Sequence, residues 1–242
     1  KNDIVLLPGK RFEAVVRKQH WQKELKIHSF GWPRIDLWRQ QFADIHQAKA
    51  EEIRQRHGSF YLFISSFGAV TSAGFSDLME KHDLEARKLL TRNQESLGEY
   101  KQLLHNLSDL LEPTEKIIVR PHPSENVKAW KGEFRGKKNV IVIREGDIGP
   151  WILASKASIT FTSTSALQSA MMGKPSFTFK LGEKDVVTNW PFLKLSTDAK
   201  TAGELHSLLI HATENDENLV KSAEEYLSEE MGYSKKLLFT KQ

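Results

Sequence analysis

The chain has 242 residues, 39% hydrophobic and 27% charged, enough for a buried core in one large domain or two small ones. It contains no cysteine, which excludes disulfides, thiolate metal sites and cysteine nucleophiles and agrees with a reducing, cytoplasmic compartment. A formal charge of +4, its cations scattered among Asp and Glu, suits an anionic ligand or a membrane surface; a nucleic-acid binder would show a basic stripe or a recognisable module, and neither is present.

The chain opens at Lys1 on a short apolar strand, Ile4 to Leu7, without the pattern of a signal peptide, and reads as a piece of something longer. A turn at Pro8-Gly9 leads to a helical segment with Phe12, Val15, Val16 and Trp21. Within ELKIHSFGWPRIDLWRQQF the pattern predicts a second strand, Gly31, and a helix starting at Pro33 and running to His57-Gly58. SFYLFISSF, Ser59 to Phe67, reads as a buried parallel strand, followed by the small-residue loop GAVTSAG. From Ser76 to Leu111 leucines recur at helical spacing. Strands are predicted at Lys116 to Val119, Asn139 to Ile143, Ser158 to Phe161 and Ser176 to Phe179, with helices between, and closing helices at Ala202 to Ala212 and Glu217 to Glu230. No window approaches a membrane span. Short strands alternating with helices predict an α/β fold, a Rossmann-like open parallel sheet with helices on both faces.

Ligands of such sheets bind beyond the carboxyl ends of the strands. There the sequence places Arg120, His122, Ser124 and Glu125 after one strand, Arg144, Glu145, Gly146 and Asp147 after the next, and Thr162, Ser163, Thr164 and Ser165 after a third. Four hydroxyl residues open a predicted helix. One cap needs one hydroxyl, so the spare donors favour a phosphate over capping alone. His122 between two prolines is presented from a stiff loop, and with Arg120 it forms a cationic rim; turn and salt-bridge roles are the plain alternatives. Glu145 and Asp147 resemble a metal-binding pair, but no histidine stands beside them and they read better as a turn and helix cap before Ile148. No dinucleotide fingerprint, phosphate-loop lysine or nucleophile elbow is present, so no cofactor and no metal are expected.

RPHPSE followed by NVIVIREGDIGPWILASKASITFTSTSALQSAMMGKPSFTF resembles the nucleotide-binding C-terminal half of GT-B glycosyltransferases, and more narrowly the bacterial surface carbohydrate (capsule and lipopolysaccharide) biosynthesis proteins with HP and Ser/Thr motifs. GWPRIDLW resembles the segment leading into that half. The resemblance covers about Gly31 to Phe179. It implies that His122 and Pro123 match the HP motif and Ser163, Thr164 and Ser165 the Ser/Thr motif, both contacting a nucleotide phosphate, and that Gln168 stands where many such enzymes grip the ribose with a glutamate. The acceptor domain these enzymes carry on the N-terminal side is not found here. Residues 1–58 would then lead in from that domain, and 59–242 form the nucleotide-sugar-binding unit.

The resulting expectation is a metal-independent glycosyltransferase with a CMP-linked donor of the Kdo or sialic acid type and a glycan or lipid-linked acceptor. His122 and Arg120 would be catalytic, with Pro123, Glu125, Arg144, Gly146, Asp147, Thr162, Ser163, Thr164, Ser165 and Gln168 binding the donor. A peripheral association with the inner membrane follows from a lipid-linked acceptor rather than from any segment of the sequence. A UDP-sugar transferase, a sugar 2-epimerase and a teichoic-acid-type glycerophosphotransferase use the same edge, and a non-catalytic nucleotide-binding or interaction domain remains the alternative class.

Overall fold

A computed structural model describes residues 4–7, 9–18, 26–29, 33–71, 84–179 and 191–229. Pro8, Trp21, Gly31 and Trp32, the Ser72–Gly74 end of the small-residue loop, the first part of the long predicted helix up to residue 83, and Glu230 lie outside them.

The chain starts with a βαβ unit: β1 (Ile4–Leu7), α1 (Lys10–Arg17) and β2 (Lys26–Ser29), the two strands pairing in parallel. A short helix α2 (Pro33–Asp36), a 3-10 turn (Gln40–Phe42) and α3 (Asp44–His57) follow. The single helix expected from Pro33 to His57 is therefore broken. Arg39 adopts extended backbone, and its guanidinium bridges Asp36 at 3.0 Å and Glu224 far along the chain, a tertiary contact that outweighs local helix propensity.

The main sheet contains β3 (Tyr61–Ile64), β4 (Ile117–Arg120), β5 (Val140–Val142), β6 (Ser158–Thr160), β7 (Ser176–Phe179) and β8 (Thr197–Ala199), all parallel, in the order β5-β4-β3-β6-β7-β8. Between them lie α4 (Gly68–Thr71), α5 (Leu84–Leu110), α6 (Val127–Glu133), α7 (Ile148–Ala154) and α8 (Ser165–Met171), and after β8 come α9 (Ala202–Ile210) and α10 (Glu217–Glu229). This is the expected Rossmann-like architecture. β8 was not read from the sequence because two of its three residues, Thr197 and Asp198, are polar and exposed at the sheet's edge.

The strands are apolar on both sides because both faces are covered. Tyr61 and Phe63 of β3 pack into a layer with Tyr100, Leu103, Leu104 and Leu107 of α5, Trp130 of α6 and Leu205 and Leu209 of α9. Leu62 and Ile64 point the other way, into a layer with Ile53 of α3, Trp151 and Ile152 of α7, Leu167 and Met171 of α8 and Leu227 of α10. Each fully buried side chain of this size contributes about 1.5–3 kcal/mol.

Tyr100 is buried in the first layer and carries a polar duty as well. Its hydroxyl donates to the Thr160 carbonyl at 3.0 Å and accepts the Phe179 amide at 2.9 Å, closing the carboxyl ends of β6 and β7 where their ladder stops. Tyr100→Phe removes both hydrogen bonds of the hydroxyl at this rim, so denaturant unfolding is expected to show a loss of about 1 kcal/mol with the fold retained.

Candidate functional site

The strand order reverses between β3 and β6: chain connections leave β3 toward β4 and β5 on one side and leave β6 toward β7 and β8 on the other. The loops diverge at such a point and leave a crevice at the carboxyl ends. After β3 come Ser65, Ser66, Phe67 and Gly68. Phe67 stacks on Phe161, the residue after β6, at 4.8 Å between ring centroids, and the Ser66 hydroxyl accepts the Thr162 amide at 3.4 Å. The two serines were hidden as the tail of an apolar run.

The loop after β4 is anchored by Glu125. Expected at the ligand surface, this carboxylate is instead 3% exposed. It accepts the Ser65 hydroxyl at 2.7 and 2.9 Å, the Phe67 amide at 2.8 Å and the Trp130 indole N–H at 2.6 Å. Donors from the β3 loop and from α6 satisfy the charge, so Glu125 ties the β3 and β4 loops together and its oxygens face protein.

His122 stays on the surface of this loop. Its Nδ1 accepts the Ser124 amide at 3.3 Å and lies 2.7 Å from the Ser124 hydroxyl, which places the proton of the neutral ring on Nε2. Gly68 makes room for this pair: a Cβ there would fall 2.2 Å from Ser124 Oγ and 3.2 Å from His122 Nδ1.

Arg120 is not on a rim beside His122. It is 6% exposed, because a side chain at the end of a buried central strand enters the layer beneath, and it lies 4.9 Å over the Trp151 ring. Its guanidinium donates to the Glu145 carbonyl and, at 2.9 Å, to the Gly146 carbonyl. Burial pushes its pKa down to about 10, against the pull of Asp147 and Glu145, so it stays charged at neutral pH. Arg144, exposed, donates in turn to the carbonyls of Pro123 at 2.9 Å and Glu125 at 3.0 Å. Gly146 turns with a φ of 61°, a conformation glycine adopts without strain. Asp147 caps α7, its carboxylate accepting the Gly149 amide at 3.0 Å.

Of the hydroxyl segment, Ser163 is the capping residue in practice: its Oγ accepts the Ser165 amide at 3.2 Å and sits 2.9 Å from Ser165 Oγ. Thr162 is half-buried and Thr164 exposed at the crevice. Ser165 and Gln168 are buried, Gln168 at 2% exposure, because α8 is wedged between the sheet, α10 and the 191–195 segment. A cleft of about 230 Å³ runs between α3 and the β5–α7 loop, lined in part by Lys49, Arg56, Glu145, Gly146 and Trp151. Among the described residues, no three His, Asp or Glu side chains gather as a metal ion would require, and no helix is long and apolar enough to cross a membrane.

No family model matches the sequence, and no curated protein matches it. Solved structures do. The Wall Teichoic Acid Polymerase TagF matches at a TM-score of 0.53 and 16% identity, over 97% of this chain and 54% of its own. A TagF variant soaked with CDPG for 30 minutes gives 0.55 and 16%, over 97% and 53%. Anabaena Alr3699/HepE in complex with UDP-glucose aligns at 0.49 and 12%, over 95% and 60%. The TagF likeness is one of fold, a Rossmann-like parallel sheet with helices on both faces, and the chain spans about half the length of the TagF chains it matches.

Because the Ser124 hydroxyl occupies the space a Cβ at Gly68 would need, Gly68→Ala is expected to detach it from His122 with little loss of stability. The imidazole ¹⁵N shifts of His122 are then expected to move from the Nε2–H tautomer towards a mixture.

Proposed function

We propose that this chain is the donor-binding half of a GT-B glycosyltransferase, taking a sugar from a nucleotide-activated donor. One observation carries the reading: at the switch point between β3 and β6, an exposed histidine held by its own loop flanks one side of the β3 loop and a hydroxyl-rich turn flanks the other. Sugar transfer leaves negative charge on the nucleotide phosphate. His122, through Nε2, and the Thr162–Ser165 turn are fixed donors able to meet that charge, and groups already in place cost no reorganisation when it develops. Arg120 adds its charge from under the β5–α7 loop rather than by contact. These residues supply the stabilisation themselves, without calling on a metal.

The finer assignment is a CMP-linked donor of the Kdo or sialic acid type and a surface polysaccharide or lipid-linked acceptor, with work at the inner face of the membrane. It rests on the pairing of RPHPSE with the Ser/Thr turn. The acceptor belongs to a further domain, and the β1–α1–β2 unit supports one: Ile4 and Leu6 are 62% and 61% exposed on a parallel ladder, whereas parallel sheets are normally covered on both faces. A second reading, a teichoic-acid-type glycerophosphotransferase, is favoured by the likeness to TagF and its soak with CDPG, since the same edge would hold a nucleotide phosphate in either reaction.

Calorimetric titration with CMP, CDP and UDP tests this. Binding selective for the cytidine nucleotides is expected, weakened at least tenfold, about 1.4 kcal/mol, in His122→Ala and less in Ser163→Ala. A preference for UDP would replace the donor. His122→Ala binding as tightly as the parent would remove the histidine from the site.

A further inference from the structure

We propose that Arg120 and Arg144 are positioning residues forming a reciprocal brace: each stands at or just beyond the end of one strand and holds, by backbone carbonyls, the loop that follows the neighbouring strand. The inference deepens the donor-edge reading and rests on it for its functional meaning.

Arg120 ends β4 and donates to the carbonyls of Glu145 and Gly146, in the loop after β5. Arg144 follows β5 and donates to the carbonyls of Pro123 and Glu125, in the loop after β4. Those last two carbonyls lie on either side of Ser124, the residue that holds His122 Nδ1. Arg144 therefore acts on the histidine through one intermediate residue. The Glu145 carbonyl also accepts the Trp151 indole N–H at 2.9 Å, so two donors pull this peptide inward. In a trans peptide the N–H points opposite to the carbonyl, so the Gly146 and Asp147 amides face away from Arg120, towards the outside of the loop. Guanidinium chemistry suits the task because one rigid, permanently charged group spans two carbonyls, which a lysine ammonium on a flexible stem does not reproduce.

A role limited to general stability would leave the coupling between Arg144 and His122 at zero, so the experiment has to read that coupling. The separating experiment is a double-mutant cycle on CDP affinity with Arg144→Met and His122→Ala. Arg144→Met alone is expected to weaken CDP about tenfold, with a melting temperature within about 2 °C of the parent. In the His122→Ala background the same change is expected to cost less than twofold. Multiplicative losses would mean that Arg144 touches the nucleotide itself, and unchanged affinity would mean that it positions nothing; either overturns the brace. Amide hydrogen exchange gives a readout independent of any ligand. The Ser124 and Glu125 amides, which donate to His122 Nδ1 and to the His122 carbonyl, are expected to exchange about tenfold faster in Arg144→Met. Arg120→Lys, which keeps the buried charge, is expected to do the same for the Trp151 indole N–H. Unchanged exchange in both variants overturns the inference. A parent protein that binds none of the three nucleotides would instead refute the donor-edge reading and leave the exchange data to decide the brace.

Discussion

The edge of the sheet depends on a buried carboxylate. Glu125 carries a negative charge into a place where water hardly reaches, and an ion there is tolerable only when donors surround it. Those donors come from Ser65 and Phe67 on one loop and Trp130 on the helix that follows another. The loops after β3 and β4 consequently cannot shift independently without uncovering the charge. His122, three residues before Glu125, inherits that rigidity, and its position relative to Gly68 follows from it.

The same principle extends along the edge. Arg120 and Arg144 cross between the β4 and β5 loops, Ser66 reaches Thr162, and Tyr100 closes β6 to β7 from below. Each contact pairs a side chain with backbone of the neighbouring segment, so the polar groups exposed at the crevice are carried on a frame already fixed. Catalysis by fixed dipoles requires such a frame, because donors that must reorganise lose most of their electrostatic advantage. The fold supplies the location, the open end of a parallel sheet at its reversal point, and side-chain-to-backbone bonds supply the rigidity.

Much of the fold was legible because fully buried parallel strands must be apolar, and IIVR, VIV and SFTF announce themselves between helical stretches. The loops that hold His122 and Ser163 were legible for the same reason, as the residues that follow those runs. What was hidden depends on partners distant in sequence. Glu125 reads as a surface carboxylate until Ser65, sixty residues earlier, is known to donate to it. Arg120 reads as a rim cation until the carbonyls of Glu145 and Gly146 are folded over it. Gln168 reads as a ribose ligand from its place in a motif, yet helix packing buries it. The break at Arg39 answers to Glu224, which no local window includes. Residue type reveals chemistry, but whether a polar group faces ligand or protein is decided by contacts across the chain.

The length of α5 adds a property of shape. Its 27 residues extend about 40 Å, whereas a four-residue strand covers about 13 Å, so the helix is far longer than the sheet it packs against. Tyr100 is pinned at the carboxyl ends of β6 and β7, which fixes that level of the helix to the rim. The turns from Leu84 to Glu99 therefore rise past the strand ends by up to about 24 Å.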